Sequence, residues 1–404
     1  MFTLFEKDNS MLDIFGYRTT DERAQSSLKQ ISNGLVSVFL TFGEIPRVLY
    51  PKENEISRIV ADTFCVQIEP LAKNFELWGS RRSKTTNVKP PLLIILDRSL
   101  DYAGPLLHPS TYQALIHDNF GITKNEVNID GKMYDLDCDL DKFWNENRME
   151  VFGTVAERIG QEVKGFINRY GAIEDDLSGA ISNLPELSHQ QLSLKSHTKI
   201  GDSLLNKIKA RKADTLFKIE EDMISNAGVT LDKLIETLQS IPEKSDRLRC
   251  ASIAFLCDVI PHNELQRVEE IVGESLEFLN NYFERSKIIQ HQNKGYVGRL
   301  LNKVGEFGSQ FDSSAVAEKL PIVEKVRKII EESIEGYILR NPLTGKTEPS
   351  PIGSVFVFVI GPGSYVEYNG LQNLGKRNNL EITYGCTSLV RPDDFMEMMK
   401  KLGN

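Results

Sequence analysis

The run Leu92-Leu93-Ile94-Ile95-Leu96-Asp97-Arg98-Ser99-Leu100-Asp101 decides the fold class. Five consecutive apolar residues follow the stop signal Pro90-Pro91 and end in charge, a pattern that predicts a fully buried strand. A loop with prolines then leads to a helix that begins near Ser110, a residue type that favours the N-cap position. Because sites in open α/β sheets lie at the carboxyl ends of strands, Asp97, Arg98 and Asp101 are candidate site residues.

Apolar runs near both ends of the chain predict the other strands of this sheet. They occur at 35–40, 355–360 and 380–384, whereas the middle of the chain has few prolines and reads mainly as helix. We therefore expect a parallel-sheet α/β domain built from both chain ends, residues 31–145 and 350–404, with a mostly helical domain, residues 146–349, inserted between them.

Two long helices are predicted at the start of the inserted domain. Val151, Val155 and Ile159 recur every four residues and predict a helix over 151–177. A break is expected at Asn183-Leu184-Pro185, and a second helix is expected from about Ser188 to Met223, with an apolar stripe that Lys212 interrupts. Helices joined at this proline would form a hairpin that projects from the body of the protein.

Composition and motif spacing exclude several classes of function. The 404 residues carry a net charge of −9, which argues against non-specific nucleic-acid binding. No apolar stretch approaches the roughly 20 residues that a membrane span needs. The five scattered cysteines suit reduced thiols in the cytoplasm. The six histidines show no metal-ligand spacing, and no complete phosphate-loop or dinucleotide motif follows a strand, so no cofactor or metal is expected.

Two long motifs resemble the SM family, the Sec-one/Munc-eighteen regulators of SNARE assembly. The first covers residues 92–118 and includes Asp97-Arg98, His108, Thr111-Tyr112-Gln113-Ala114 and His117-Asp118. The second is Phe-Val-Ile-Gly-Pro-Gly-Ser-Tyr-Val-Glu-Tyr at 358–368, followed by Tyr-Gly-Cys-Thr at 384–387. The helical middle is similar to the hairpin domain of the Sly-one branch, which serves traffic between the endoplasmic reticulum (ER) and the Golgi.

The resemblance runs from about Gly34 to Leu402 and implies a function as well as a fold. It implies a cytoplasmic, non-enzymatic protein that binds syntaxin-type SNARE proteins and the assembled SNARE bundle. Such a protein promotes SNARE assembly for membrane fusion and reaches ER and Golgi membranes peripherally, through the SNAREs. It also implies that the family's N-terminal domain is missing, with residues 1–30 as its remnant.

By resemblance, the partner-binding surface would lie on the hairpin. The residues expected there are Pro185, Leu187, Leu192, Leu194, Lys195, His197, Thr198 and Ile200. Pro185 would act as the hinge between a bent hairpin that hides the surface and an extended helix that opens it. The lysine-rich stretch over 195–218 is typical of a solvated face, and a surface for a partner helix or an anionic membrane is the alternative.

The strand ends permit two other readings. Asp97 could belong to a phosphotransfer site, but Ser99 stands where that pattern needs a second aspartate, so a structural role for Asp97, Arg98 and Asp101 is preferred. Gly361-Pro362-Gly363 could hold a phosphate, but proline lacks the amide, so a tight turn is preferred. The rival functions are a phosphate- or nucleotide-dependent enzyme and a tethering scaffold without SNARE preference.

Overall fold

The computed structural model describes residues 1–6, 10–71, 89–171, 177–289, 315–344 and 352–404, together with the backbone of residue 72. For 169–171, 177–187, 287–289 and 315–316 the description is limited to the backbone. The stretch rich in glycine, asparagine and lysine at 294–312, which reads as a loop, lies outside the described residues. Within the described part of the chain, no helix combines the length and apolar character that crossing a bilayer requires.

The chain begins in the α/β domain, passes through the helical domain and returns. The first part comprises β1 (Phe2–Thr3), α1 (Ser10–Phe15), α2 (Glu22–Phe42), β2 (Arg47–Pro51), α3 (Glu55–Ala72), β3 (Leu92–Asp97), α4 (Tyr112–Phe120), β4 (Ile122–Thr123), β5 (Glu126–Ile129) and β6 (Lys132–Asp135). The helical part comprises α5 (Lys142–Asn147), α6 (Phe152–Gly171), α7 (Leu177–Arg211), α8 (Ala213–Ile224), α9 (Leu231–Ser240), α10 (Lys244–Leu256), α11 (Leu265–Val272), α12 (Glu277–Ile289), α13 (Ala315–Lys319) and α14 (Pro321–Glu331). The return comprises β7 (Tyr337–Arg340), β8 (Val355–Ile360), α15 (Tyr365–Asn378), β9 (Ile382–Cys386) and α16 (Pro392–Gly403).

The main sheet has six strands in the order β1-β9-β8-β3-β2-β7. All neighbours pair in parallel except β7, which is antiparallel to β2. Every residue of the central strands β3 and β8 is buried, and Leu92 to Asp97 align with Val355 to Ile360. Strands buried on both faces have continuous apolar sequences, which is why the sequence identified these two.

The strand predicted over 35–40 is wrong, because these residues form the last two turns of α2. Ile31, Leu35 and Phe39 are buried at a spacing of four, so they pack one helical face on the sheet. The helix ends at Gly43, whose φ of +70° is favoured by glycine and whose N–H donates to the Phe39 carbonyl. The strand that follows α2 is β2.

Residues 1–30 pack as part of the α/β domain. β1 extends the main sheet by pairing with β9, and Met11, Ile14 and Phe15 of α1 are buried in the main core. The helix α2 continues through the boundary expected between residues 30 and 31. The structure therefore gives the first 30 residues no core of their own.

A second, smaller core forms around the three-stranded sheet of β4, β5 and β6. Tyr112 of α4, Trp144 of α5, and Val155 and Ile159 of α6 pack there with Ile200 and Leu204 of α7. This core attaches the second half of α7 to the body of the protein.

The hairpin differs from its predicted form in two places. The expected break at Asn183-Leu184-Pro185 is wrong, because α7 begins at Leu177 and continues through Pro185. A single proline removes one hydrogen bond from a helix, and here the helix accommodates that loss. The chain breaks instead at Lys212, where φ is +53° and α7 gives way to α8. This is the residue that interrupts the apolar stripe in the sequence.

Candidate functional site

The three candidate residues at the carboxyl end of β3 lie in one buried cluster, which we call the strand-end cluster (Asp97, Arg98, Asp101 and Glu367). Arg98 has no exposed surface and pairs with both carboxylate oxygens of Glu367; its Nη1 lies 3.1 Å from Oε2. The same nitrogen donates to the Pro362 carbonyl at 2.8 Å. Burial alone would lower the pKa of Arg98, but the Glu367 charge outweighs it and raises that pKa.

Glu367 joins three other elements to the end of β3. It forms a capping box with Ser364 at the start of α15, and it accepts a hydrogen bond from the Tyr384 hydroxyl of β9 at 2.7 Å. Gly361 turns the chain with a φ of +119°, and a Cβ added there would lie 2.7 Å from the Arg98 Cβ. The Gly361-Pro362-Gly363 segment is thus a tight turn folded around a buried ion pair.

The two aspartates bind the backbone of the loop after β3. Asp97 accepts from the Ser99 amide at 2.8 Å and from the Asn54 side chain. Asp101 accepts from the amides of Ala103 at 2.9 Å and Gly104 at 2.8 Å. Burial, opposed by the Arg98 charge, raises the pKa of Asp101 to about 6. Both carboxylates are committed to loop geometry and do not face an open cleft.

A second buried charge network, the junction network, connects the α/β domain to the helical domain. Its members are His108, Asp118, Arg211, Glu220, Asp246 and Arg249. The His108 ring lies 2.7 Å from Glu220 and 3.2 Å from Asp246, and Arg211 at the end of α7 binds Asp246 through two nitrogens, at 2.9 and 2.6 Å.

The charges of the junction network favour the charged forms of His108 and Asp118. Burial alone would lower the pKa of His108, but Glu220 and Asp246 outweigh it and raise that pKa. Burial alone would raise the pKa of Asp118, but the Arg249 and Arg211 guanidiniums lower it. The carboxyl-terminal end of α7 is therefore fixed to the body by ion pairs.

The expected partner-binding residues do not share one exposed surface. Leu194, His197 and Ile200 are buried, and the His197 ring lies 3.0 Å from the Tyr112 hydroxyl and 3.1 Å from Asp141. Thr198 is half-buried and donates to the Leu194 carbonyl at 2.7 Å. The side chains of Pro185 and Leu187 lie outside the described ones. The buried residues attach α7 to the smaller core.

Leu192 and Lys195 are exposed on α7, and the neighbouring helix adds Ile167. Leu192 and Ile167 expose 61% and 62% of their surface. A Cβ at Gly201 would lie 3.5 Å from Ile159, which sets the antiparallel register of α6 and α7. Counting about 1.5 Å per residue from that contact brings Ile167 and Leu192 to the same height. We call Ile167, Leu192 and Lys195 the hairpin patch.

The sequence did not reveal the roles of two residues that matter here, Glu367 and Ile167. Glu367 follows Ser364 by three positions, which is the capping-box spacing and could have indicated its role. Ile167 continues the four-residue apolar spacing of α6, so the sequence places it in a core, and only the packing shows it exposed. Across the described residues, no cluster of three or more His, Cys, Asp or Glu side chains could hold a metal ion.

Comparison with known proteins gives consistent matches in sequence and in structure. The Sec1 family model matches residues 1–398. A sly1 homolog of Drosophila melanogaster is 27% identical over 95% of this chain and 72% of its own length, and sly1 of Schizosaccharomyces pombe is 28% identical over 93% and 71%.

Solved structures of two proteins share the fold over nearly the whole chain. Sly1p, crystallised with an N-terminal peptide of Sed5p, superposes with a TM-score of 0.77 at 23% identity, over 98% of this chain and 71% of that one. Two structures of Vps45 in complex with the Qa SNARE Tlg2 give a TM-score of 0.75 at 20% and 21% identity, over 94% of this chain and 70% of those chains.

Proposed function

Because the chain belongs to the Sec1 family, we propose that it is an SM-type regulator of vesicle trafficking that binds SNARE proteins and promotes their assembly for membrane fusion. The observation that carries this proposal is the family match over residues 1–398. The SNARE-bound structures of Sly1p and Vps45, which share this fold, support a syntaxin-type SNARE as the partner.

The compartment proposed is the ER–Golgi boundary, since the similar proteins of fly and fission yeast carry the sly1 name. The chain would reach these membranes peripherally, through its SNARE partners.

The physical task is to lower the entropic cost of SNARE assembly. Disordered SNARE segments lose conformational entropy when they order, and a rigid surface that binds them in register reduces the cost of the next step. The helix α7 has 35 residues and a length of about 50 Å, and its carboxyl-terminal half is attached to the body through Ile200, Leu204 and Arg211. It can therefore present a fixed surface to a partner helix.

The hairpin patch is the proposed contact surface. Leu192 and Ile167 offer apolar area, and Lys195 adds a positive charge beside it. Leu194, His197 and Ile200 act through position only, because they fix α7 on the smaller core. Pro185 and Leu187 remain predicted members of the surface.

A phosphate-dependent enzyme at the strand ends is the weaker alternative. The Nη atoms of Arg98 donate to Glu367 and Pro362, and both aspartates bind loop amides. All three side chains are fully buried, so these groups face no substrate cleft. We therefore propose a non-enzymatic role.

Calorimetric titration with a panel of ER–Golgi SNARE cytoplasmic segments tests the proposal, with sequence-scrambled segments as controls. We expect saturable binding of at least one syntaxin-type segment or assembled bundle, with micromolar or tighter affinity, and none of the scrambled ones. A plain tethering scaffold would ignore every SNARE, and that result would contradict the proposal.

A further inference from the structure

Asp141 connects the beginning of α5 to the part of α7 that carries the hairpin patch. Its Oδ1 accepts from the Trp144 amide at 2.9 Å and so caps α5. Its Oδ2 accepts from the Ser193 hydroxyl at 2.9 Å and from the His197 ring at 3.1 Å. The capping role accounts for one oxygen of this carboxylate, and the other binds two side chains of α7. We call Asp141, Ser193 and His197 the Asp141 contact.

The chemistry of these groups determines which of them donate. An ionised carboxylate can only accept, so Nε2 of His197 carries the hydrogen that is directed at Asp141. Nδ1 of the same ring lies 3.0 Å from the Tyr112 hydroxyl. Burial and the Asp141 charge raise the pKa of Tyr112, so its hydroxyl keeps its proton and donates to Nδ1. A chain of hydrogen bonds therefore runs from α4 through α7 to the beginning of α5.

The surroundings of the contact favour an ionised carboxylate and a fixed imidazole ring. Burial alone would raise the pKa of Asp141, but the hydrogen bonds from His197, Trp144 and Ser193 outweigh it and lower that pKa. The His197 ring is buried, with its centre 4.8 Å from that of the Phe143 ring, and it lies nearly parallel to the Trp144 ring. Its hydrogen bond to the carboxylate therefore has a defined direction.

The Asp141 contact lies on the side of α7 that faces away from the hairpin patch. Ser193 and His197 are four residues apart, so they share one face of the helix. At about 100° per residue, Lys195 lies opposite the centre of that face, and Leu192 lies about 120° from it. Because the faces of a helix turn together, a carboxylate that holds one face also sets the direction of the other.

Apolar packing alone would define the rotation of α7 less sharply. Leu194, Ile200 and Leu204 are buried on the body side of this helix. Burial of apolar surface is non-directional, whereas a hydrogen bond weakens steeply when its angle departs from linear. The two hydrogen bonds to Asp141 come from residues on either side of Lys195 in the sequence, so they act at the height of the hairpin patch.

We propose that Asp141 is the positioning residue of the hairpin patch: it fixes the rotation of α7 so that Leu192 and Lys195 face a partner helix. This inference rests on the proposed function, because the patch is the proposed SNARE-contact surface. Asp141 acts through Ser193 and His197 and not by touching the partner. Without the contact, α7 would populate other rotations, and the apparent affinity would fall with the fraction of chains that hold the binding-competent one.

The test is Asp141→Asn in the full chain, with Asp139→Asn as the matched control. Asparagine keeps an Oδ1 acceptor for the cap of α5, but its Nδ2 cannot accept from Ser193 or His197. Asp139 is an exposed neighbour, and its replacement changes the charge by the same amount. Calorimetry uses the SNARE segment that the wild-type chain binds most tightly, at a temperature where thermal melting shows every chain folded. We expect a threefold or greater loss of affinity for Asp141→Asn and less than a twofold change for Asp139→Asn.

Hydrogen–deuterium exchange in the free chain shows whether the effect is local to α7. We expect faster exchange of the amides at 188–198 in Asp141→Asn and unchanged exchange in α10, whereas a general loss of stability would speed both. Ser193→Ala removes one of the two hydrogen bonds and should give smaller changes of the same kind. This second variant decides the question if Asp141→Asn does not fold.

A double-mutant cycle separates positioning from a merely structural role. If Asp141 acts through the patch, Asp141→Asn combined with Leu192→Ala should cost less affinity than the product of the separate losses, by about twofold or more. Losses that multiply, unchanged binding by Asp141→Asn, or exchange at 188–198 that changes only together with α10 would each overturn the proposal. A wild-type chain that binds no SNARE segment would instead contradict the proposed function, and exchange would still decide whether Asp141 fixes this part of α7.

Discussion

The strand-end cluster and the hairpin patch differ in whether their side chains bond to other groups of the same chain or remain exposed. In the cluster, Arg98 and Glu367 are fully buried and each bonds several partners, so these side chains stabilise the fold. In the patch, Leu192 and Ile167 expose most of their surface. The charged motif Asp97-Arg98 therefore has a structural role, whereas the proposed partner surface consists mainly of exposed apolar residues.

The largest effect on stability is expected from a substitution that breaks the strand-end cluster. Glu367→Gln leaves the Arg98 charge buried without its counter-charge, and we expect a loss of about 3–5 kcal/mol in the free energy of unfolding. Urea denaturation measures this loss. The control is Glu397→Gln, since Glu397 is exposed and Lys400 is its one ion-pair partner among the described residues; its cost should stay below about 0.5 kcal/mol. Similar losses in the two variants would remove the distinction between scaffold and surface.

A smaller loss is expected at the base of the hairpin. Arg211→Gln removes the ion pairs with Asp118 and Asp246, but Arg249 and His108 still bind those aspartates. We expect a loss of about 2–3 kcal/mol by denaturation, together with faster amide exchange in α7. The exposed Lys209→Gln serves as control and should change little. Unchanged exchange in α7 would show that the junction network does not fix the hairpin.

The junction network should also make stability depend on pH. The pKa of His108 is raised by Glu220 and Asp246, so its charged form contributes stability that is complete below about pH 6.5. This contribution is lost as the pH rises through the folded-state pKa of His108. Relative to His108→Gln, the wild-type chain should therefore lose part of its stability advantage over that range.

The pKa of Asp101 is raised to about 6, so its protonated form contributes stability that is complete below about pH 4 and is lost as the pH rises to about 6. It does so in both chains, so the difference between them isolates His108. Denaturation series from about pH 5.5 to 8.5 provide the comparison. A difference that does not vary with pH would contradict the assignment.

The smallest expected effect concerns Pro185. Because α7 already runs through this residue, Pro185→Ala should change the affinity for a SNARE segment by less than twofold. A marked increase would instead support a hinge at Pro185, as the resemblance implies. Calorimetry on the two chains decides between these outcomes.

The sequence predicts the sheet better than the hairpin for physical reasons. The central strands β3 and β8 are buried on both faces, and their continuous apolar runs indicate buried strands directly. The run at 35–40 is also apolar and short, and only its four-residue register with Ile31 shows that it is helix. On α7, Leu192 and Ile200 are both large aliphatic residues, yet Ile200 is buried in the smaller core and Leu192 is exposed. Tertiary contacts that local patterns do not encode determine that choice.

Binding of a SNARE segment to Leu192→Arg, compared with Val66→Arg, tests the central claim most directly. Val66 exposes 70% of its surface on α3, so both changes place a charge on an exposed apolar position, and neither should cost more than about 0.5 kcal/mol of stability. The account predicts at least a tenfold loss of affinity for Leu192→Arg and less than a twofold change for Val66→Arg. Undiminished binding by Leu192→Arg would show that the hairpin patch is not the partner surface.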